Sequence, residues 1–307
     1  GDIIQVGMNN LKTLLAIPGA WAKTKPALTR SGAQVALAGQ YYMAVNDTGK
    51  PTGRVPLTNL PWVGDPADPA SMAKARKVRW AMAISIDRQK IVDSILGGKG
   101  DPHYWWNMGP GHPRWTPEME KYAIPYNPTE AKKLLAEAGY PKGFDFEFWI
   151  PTGLDPVLGE MCQALIPMFQ AVGLNPKVDN AAYTAVRPKL LARTIDKAWC
   201  WGEAGWDTDI WGLYRFHTRA VWNNGIEYAQ ALEMEKKILG SPTVDEAYKV
   251  IAQEWIPWLY ETVPMFQTVS YPPMWGVGPR VTDWPISFMS GLQNAYPRQT
   301  WRITLKD

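Results

Sequence analysis

The sequence contains few residues of the types that usually carry metal or redox chemistry. Among its 307 residues there are only two cysteines and three histidines. His103, His112 and His217 are widely spaced, and the first two are nine positions apart, which is too far for a metal-binding pair on one helix. The chain also lacks a His-Glu-x-x-His motif, a Gly-x-Ser-x-Gly motif and a phosphate-binding loop. We therefore expect no metal, no cofactor and no catalytic activity.

The two cysteines allow at most one disulfide. Cys162 lies in a predicted helix and Cys200 in a predicted strand, and their spacing does not match a metal site. Because a free cysteine commonly behaves as a small buried apolar residue, the favoured interpretation is two buried thiols. Cysteine usage alone does not identify the redox compartment.

The chain also lacks a strong charge of one sign and a long apolar run. It carries 32 Lys and Arg against 29 Asp and Glu, a net charge of +3. The basic residues are scattered, which argues against a nucleic-acid interface. No run approaches the ~20 apolar residues that span a bilayer. A length of 307 residues favours more than one domain, and two lobes are expected.

One passage, residues 74–149, is patterned at every level. Val78, Ala81 and Met82 begin an apolar stripe at helical spacing. Asp87 is predicted to cap the next helix, and Asn127 is predicted to cap the one after it, with Pro128 at its first position and Glu130 completing a capping box. An alternating Phe strand follows at 144–150.

Outside that passage the pattern also alternates between helix and strand. Short strands are predicted at 2–6 and 35–45, and a linker at 66–73. Helices are predicted near 72–84, 88–97, 128–138, 156–172, 181–193, 226–240 and 243–261, and further strands near 144–150, 175–179, 197–202 and 264–270. This order predicts an α/β fold with helices layered on a sheet.

The passages VRWAMAISIDRQKIVDSILGGKG and YNPTEAKKLLAEAGYPKGF resemble the signature of the family 5 extracellular solute-binding proteins, the dipeptide, oligopeptide and nickel receptors of ABC importers. The resemblance implies a two-lobed, periplasmic-binding-protein-like fold of class II, peptide-binding type, with one lobe largely complete and the other partial. It places a partial lobe I at 1–74, lobe II at 75–269 and a return to lobe I at 270–307, with crossings near 66–74 and 268–275.

The same resemblance implies a location and partners. It predicts a monomeric periplasmic or extracellular receptor that passes a small solute to the permease of an ABC importer. Because family members are longer and GDIIQV resembles an internal strand, we expect this chain to be a C-terminal fragment. Attachment through a lipid anchor upstream of Gly1 is left open.

Tryptophan is the abundant residue, with 17 in the chain. An indole offers a flat face for stacking and one N–H donor. Patterned positions such as Trp80, Trp255, Trp258 and Trp301 are expected to pack in the core. Trp105, Trp106, Trp201 and Trp206 lie in loops or next to a turn and are predicted to stack on the ligand or to line its cavity.

The turn after the strand at 197–202 holds the main candidate for ligand recognition. Open α/β sheets bind ligands at the carboxyl ends of strands. The resemblance implies that Asp207 matches the aspartate that binds the α-ammonium group of peptide ligands. The alternative role for Asp207 is that of a helix N-cap.

One departure from the family leaves the solute open. The loop PTGLDPVLGE at 151–160 has no arginine where dipeptide receptors of the family pair with the ligand's carboxylate. Arg187, Arg193, Arg215 or a residue upstream of Gly1 would have to substitute. A di- or oligopeptide and an oligosaccharide are therefore both kept as solutes, and a glycoside hydrolase using Glu203 and Asp207 is a weaker alternative.

Overall fold

The computed structural model describes residues 3–5, 8–24, 31–46, 49–102, 114–153, 156–204, 225–271, 274–283 and 304–306. The strands are β1 (Ile3–Gln5), β2 (Trp21–Thr24), β3 (Ser31–Leu37), β4 (Gln40–Tyr41), β5 (Asp101–Pro102), β6 (Phe144–Trp149), β7 (Leu174–Asp179), β8 (Ala198–Ala204), β9 (Ile226–Glu227), β10 (Met265–Tyr271), β11 (Met274–Val277), β12 (Val281–Asp283) and β13 (Thr304–Leu305).

Helices separate most of the longer strands. They are α1 (Met8–Leu15), α2 (Pro69–Ile84), α3 (Arg88–Ser94), α4 (Pro128–Glu137), α5 (Pro156–Gln170), α6 (Tyr183–Leu191), α7 (Ala229–Leu239), α8 (Val244–Val250) and α9 (Ile256–Thr262). A 3-10 turn covers Pro117–Tyr122, and a π-helical turn, Ile251–Trp255, joins α8 to α9. The predicted α/β alternation is confirmed.

The predicted caps in the patterned passage form. The Asp87 carboxylate accepts a hydrogen bond from the Lys90 N–H, and the Asn127 side chain accepts one from the Glu130 N–H, both at 2.9 Å. The predicted capping box is incomplete, because the Asn127 N–H donates to the Ile84 carbonyl at 2.8 Å rather than to Glu130. That bond ties the start of α4 to the end of α2.

A mixed six-stranded sheet forms the centre of the molecule, in the order β5-β10-β3-β8-β6-β7. Strands β6, β7 and β8 are parallel, whereas β3, β10 and β5 pair antiparallel. Antiparallel partners in the centre of the sheet include Gln34 opposite Trp201 and Gln267 opposite Gln34.

Helix α5 covers one face of this sheet. Phe169 of α5 packs edge-on against Phe146 and Phe148 of β6, with ring centroids 5.7 and 5.8 Å apart. On the same face a disulfide joins Cys162 of α5 to Cys200 of β8, with Cα atoms 5.7 Å apart. The favoured interpretation of two free thiols is therefore wrong, because the crossing of α5 over β8 brings together two cysteines that are 38 residues apart in sequence.

A second, three-stranded sheet has the order β1-β11-β2 and combines the start of the chain with the segment after β10. The chain therefore changes from the small sheet to the large one between Thr24 and Ser31, and returns between Tyr271 and Met274. The return falls within the predicted crossing at 268–275. Strand β3 lies inside the range 1–74 assigned to lobe I yet is hydrogen-bonded into the large sheet. The lobe boundaries at 74 and 269 stay predictions.

Candidate functional site

The carboxyl edge of the large sheet is where the sequence placed the ligand. Because β6, β7 and β8 are parallel, their carboxyl ends share one edge. Trp149, the last residue of β6, pairs with Trp199, so the rest of β8 extends past β6. A bridge between Thr152 and Ala182 joins the loops that follow β6 and β7. The loops after β6 and β7 therefore lie beside the part of β8 that follows Trp199, where Tyr183 contacts Trp201.

Four aromatic side chains gather at this edge, and we call them the aromatic cluster: Trp149, Trp199, Trp201 and Tyr183. Trp149 and Trp199 stack with ring centroids 5.0 Å apart and planes 12° apart. Trp201 lies 5.0 Å from both Trp199 and Tyr183. Both stacked indoles are fully buried, whereas Trp201 keeps 9% of its surface exposed and Tyr183 is half-buried.

A cation borders the aromatic cluster. Arg187, one turn along α6 from Tyr183, donates from Nη1 to the Tyr183 hydroxyl at 3.1 Å, and its guanidinium carbon lies 5.8 Å from the centre of that ring. Burial raises the pKa of the Tyr183 hydroxyl, and the nearby Arg187 charge opposes the rise. Tyr183 therefore stays protonated at neutral pH and links an exposed guanidinium to the aromatic cluster.

A second polar group, which we call the Glu227 cluster, comprises Arg54, Arg193, Glu227 and Tyr41. The fully buried Glu227 carboxylate pairs with the Arg54 guanidinium and, at 3.0 Å, with that of Arg193. The Tyr41 hydroxyl donates to the Arg193 carbonyl at 2.7 Å. The two guanidinium side chains keep 27% and 16% of their surface exposed. This cluster is thus a nearly enclosed ionic network.

The Glu227 cluster is built on the strand pair β4 and β9, beyond the start of β8. Glu227 belongs to β9, which pairs with β4, and β4 follows the end of β3. That end of β3 is Leu37, which pairs with Ala198 at the start of β8. Trp199 of the aromatic cluster is the next residue of β8, and Ala204, at its carboxyl end, is six residue steps or about 20 Å from Ala198. Arg193 differs from Arg187 in its partner, because the buried Glu227 carboxylate already engages its guanidinium.

Enclosure shifts two pKa values in the Glu227 cluster. Burial raises the pKa of the Tyr41 hydroxyl to about 12, against an opposing influence of the Arg54 charge. Burial also lowers the pKa of the Arg193 guanidinium, while Glu227 acts in the other direction. The Tyr41 hydroxyl therefore stays protonated at neutral pH and can donate to the Arg193 carbonyl.

The part of the chain that the structure describes offers no group of three or more His, Cys, Asp or Glu side chains that could hold a metal ion. All three histidines lie outside the described residues. Within the described ranges no helix is long and apolar enough to cross a membrane.

Comparison with known proteins identifies the family. The family model "Bacterial extracellular solute-binding proteins, family 5 Middle" matches residues 14–224, which is more than half of the chain. The chain belongs to family 5 of the bacterial extracellular solute-binding proteins. The predicted resemblance is confirmed.

Relatives within family 5 differ in what their names say they bind. Heme-binding protein A of Haemophilus influenzae is 40% identical over 75 residues, covering 24% of this chain and 13% of that protein. The periplasmic oligopeptide-binding protein OppA of the same species is 28% identical over 209 residues, covering 63% of this chain and 37% of that protein. The chain therefore spans well under half the length of these curated relatives.

Solved structures share the fold across the whole chain. The oligopeptide-binding protein AppA of Bacillus subtilis, in complex with a nonapeptide, matches with a TM-score of 0.72 at 15% identity, covering 100% of this chain and 56% of that one. NikA of Staphylococcus aureus, in complex with Ni(L-His)2, matches with a TM-score of 0.70 at 17% identity, covering 99% and 57%. The predicted two-lobed, peptide-binding-type α/β fold is confirmed, with this chain representing part of it.

Of the five predicted ligand contacts, Trp201 alone lies among the described residues. The structure places it in the aromatic cluster at the predicted edge. Trp105 and Trp106, in the range 103–113, and Trp206 and Asp207, in the range 205–224, lie outside the described residues. Their roles in this family 5 member stay predictions.

Sequence reasoning did not single out Tyr183, and it did not choose among the candidate arginines. Tyr183 begins the helix that follows β7 at the same carboxyl edge, which is a signal that the sequence did contain. Arg187 borders the aromatic cluster, Arg193 is paired with Glu227, and Arg215 lies outside the described residues. Of the two candidate arginines among the described residues, Arg187 and Arg193, only Arg187 contacts the aromatic cluster.

Proposed function

We propose that the protein is the solute-binding receptor of an ABC importer, and that it captures a di- or oligopeptide between two lobes and delivers it to a membrane permease. Membership of family 5 supports the receptor role. The receptor is proposed to act as a monomer outside the cytoplasmic membrane.

One observation favours a peptide as the solute. Arg187 lies beside the aromatic cluster, at the edge where the loop after β6 lacks the arginine expected of a dipeptide receptor. Asp207 follows the end of β8 by three residues in sequence. A guanidinium suits the carboxylate end of a zwitterionic peptide, and a carboxylate suits its ammonium end. Arg187 is thus the proposed partner of the peptide carboxylate, and Asp207 that of its ammonium group.

The aromatic cluster supports an oligosaccharide as the second candidate. Sugar rings stack on indole faces, and Trp201, with Trp206, Trp105 and Trp106, would supply them. Trp201 contributes little free surface to such stacking, because Trp199 and Tyr183 already lie 5.0 Å from its ring. A peptide therefore remains the first proposal.

The proposed mechanism is closure of the two lobes over the solute. A solute favours the closed form only to the extent that it binds that form more tightly. The two crossings between the lobes, predicted near 66–74 and 268–275, would absorb the change in backbone angles. The closed receptor would then dock on the permease.

A thermal-shift screen of the full gene product tests this proposal against di- and oligopeptides and against cello-, xylo- and manno-oligosaccharides. A solute present at a hundred times its Kd stabilises the native state by about 2.7 kcal/mol, which a melting curve resolves. Stabilisation by peptides is expected. Stabilisation by sugars alone would refute the peptide assignment and favour the oligosaccharide.

Three variants then assign the contacts. Arg187→Gln is expected to weaken peptide binding about tenfold to a hundredfold, the usual value of a charged hydrogen bond. Asp207→Ala should abolish recognition of the ammonium group, and Trp206→Ala should weaken either class of solute. Lys236→Gln is the matched control, because Lys236 forms an exposed ion pair with Glu233 on α7. Unchanged affinity in all three variants would remove this edge from the site.

A further inference from the structure

A row of buried side chains with polar groups crosses the sheet, starting at Trp201 of the aromatic cluster. Trp201 in β8, Gln34 in β3 and Gln267 in β10 are directly opposite one another in adjacent antiparallel strands. Directly opposed residues project from the same face of a sheet, with Cβ atoms roughly 4.5–5.5 Å apart. The row therefore lies on the face opposite the one that carries the disulfide, because Cys200 alternates with Trp201.

Gln34 is the unusual member of this row. Its side chain is 0% exposed, and neither its amide nitrogen nor its amide oxygen has a hydrogen-bond partner. Native proteins hydrogen-bond the large majority of their buried polar atoms, so such a group calls for an explanation. A glutamine amide can donate twice and accept at least once, and here all of that capacity is unused.

Gln40 shows how this chain normally treats a buried glutamine. Also 0% exposed, Gln40 donates from Nε2 to the carbonyls of Leu37, at 2.5 Å, and Pro264, at 2.7 Å. Its Oε1 accepts a hydrogen bond from the Tyr228 hydroxyl at 2.7 Å. The two glutamines lie six residues apart. The side-chain amide of Gln40 is hydrogen-bonded within the protein, whereas that of Gln34 is not.

Two neighbouring features point to the same face. The indole nitrogen of Trp199, two residues from Trp201 and hence on the same face, is also buried without a hydrogen-bond partner. Strand β10 carries a register irregularity between Gln267 and Val269, directly beside Gln34. Bulges of this kind are frequent next to functional sites, where they redirect a side chain.

We propose that Gln34 is a solute-binding residue whose amide, together with the Trp199 indole N–H, hydrogen-bonds an uncharged group of the solute. This inference rests on the proposed receptor function and specifies part of its site. The groups supplied are neutral and include both donors and an acceptor. They suit a group that both accepts and donates, such as a backbone amide of a peptide or a hydroxyl of a sugar. The charged ends of a peptide would bind elsewhere, at Arg187 and Asp207.

The test compares Gln34→Leu with its matched control Gln40→Leu in the full gene product. Each variant is titrated with the best peptide and the best oligosaccharide from the thermal-shift screen, and is unfolded in urea without solute. Gln34→Leu should weaken solute binding about tenfold to a hundredfold, as the loss of one or two hydrogen bonds predicts. Its unfolding midpoint without solute should stay the same or rise, because the buried amide has no partner to lose.

Gln40→Leu should behave in the opposite way, lowering the unfolding midpoint because it leaves two carbonyls and a hydroxyl unsatisfied. Solute affinity of the folded fraction should stay within about twofold of wild type, since additivity is expected for distant sites. Gln34→Met repeats the first test with an unbranched side chain, in case Leu does not fit.

Solute analogues supply a second readout. A peptide with one N-methylated backbone amide, or a sugar that lacks one hydroxyl, should bind wild type more weakly than its parent does. For the analogue that lacks the group bound by Gln34, the loss of affinity relative to its parent should disappear in Gln34→Leu, because the two changes remove the same interaction. Whether this happens with the peptide analogue or with the sugar analogue identifies which class of solute supplies the group.

Equal solute affinity in wild type and Gln34→Leu would overturn the inference and leave the receptor function intact. A lowered unfolding midpoint for both Gln34→Leu and Gln34→Met would also overturn it, since the amide would then have a structural partner. If no solute stabilises the wild-type protein, the receptor proposal fails, and the inference, which rests on it, fails with it.

Discussion

The disulfide between α5 and β8 is predicted to supply a large share of the stability of the central sheet. Cys162 and Cys200 are 38 residues apart in sequence, and the loop between them holds β7 and α6. Cross-linking a loop of that length removes about 13 cal/mol/K of entropy from the unfolded chain, or about 4 kcal/mol at room temperature. Single domains have total unfolding free energies of about 5–15 kcal/mol, so the loss of this bond should be conspicuous.

Urea unfolding with and without reductant measures this contribution. Because both sulfur-bearing side chains are fully buried, reduction is carried out on the unfolded protein before refolding. Reduced wild type keeps both sulfur atoms, so its comparison with the oxidised protein isolates the cross-link. The variant C162A/C200A adds the loss of the sulfur atoms, and it should be at least as destabilised.

A difference below about 1 kcal/mol between the oxidised and reduced proteins would refute this entropy argument. Alkylation of two thiols in protein unfolded without reductant would refute the bond itself. The bond is also consistent with the family's extracellular setting, because disulfides persist in oxidising compartments and are rare in the cytosol.

Two further predictions concern the Glu227 cluster. Glu227→Gln should lower the unfolding free energy, measured in urea, by about 2–4 kcal/mol, because it removes the negative charge between two partly enclosed guanidinium groups. The control Glu233→Gln, which breaks an exposed ion pair, should change the unfolding free energy by less than ~0.5 kcal/mol. Equal effects of the two variants would contradict the burial argument. Burial raises the pKa of the Tyr41 hydroxyl to about 12 from 10.0, so between these pH values the native state keeps the proton that the unfolded chain loses. The contribution of Tyr41 to the unfolding free energy is therefore fully present below pH 10 and falls between pH 10 and 12. At pH 11 this loss is about 1.4 kcal/mol, and it should be absent from Tyr41→Phe but present in Tyr126→Phe, whose tyrosine is 53% exposed.

Much of the fold could be predicted because local signals agree with one another. Asp87 and Asn127 cap helices as their positions suggest, and the Phe pattern at 144–150 becomes β6 facing α5. Each of these features depends on residues a few positions apart. The pairing of β3 with β8 and β10 does not, because it joins segments separated by more than a hundred residues, and no local pattern encodes it.

The same limit applies to the candidate site. Trp201 could be placed at a strand's carboxyl end from sequence, and Arg187 could be named as a possible partner of a carboxylate. Arg187 could be preferred to Arg193 only after the structure showed that Arg193 is paired with Glu227, which lies 34 residues further along the chain. Gln34 carried no sequence signal, since a glutamine inside a predicted strand gives no indication of whether its amide is satisfied.

Strand β8 explains why a disulfide, an aromatic cluster and a polar row occur so close together. Its side chains alternate, so Cys200 faces α5 while Trp199 and Trp201 face the opposite side. The disulfide fixes β8 to α5 on one face, and the stacked indole rings of Trp149 and Trp199 fix it to β6 on the other. A strand held on both faces keeps its carboxyl end in one position, which is what a binding site needs from its support. Loss of the disulfide should therefore weaken solute binding less than it weakens folding, because the stacked indoles still position the end of β8.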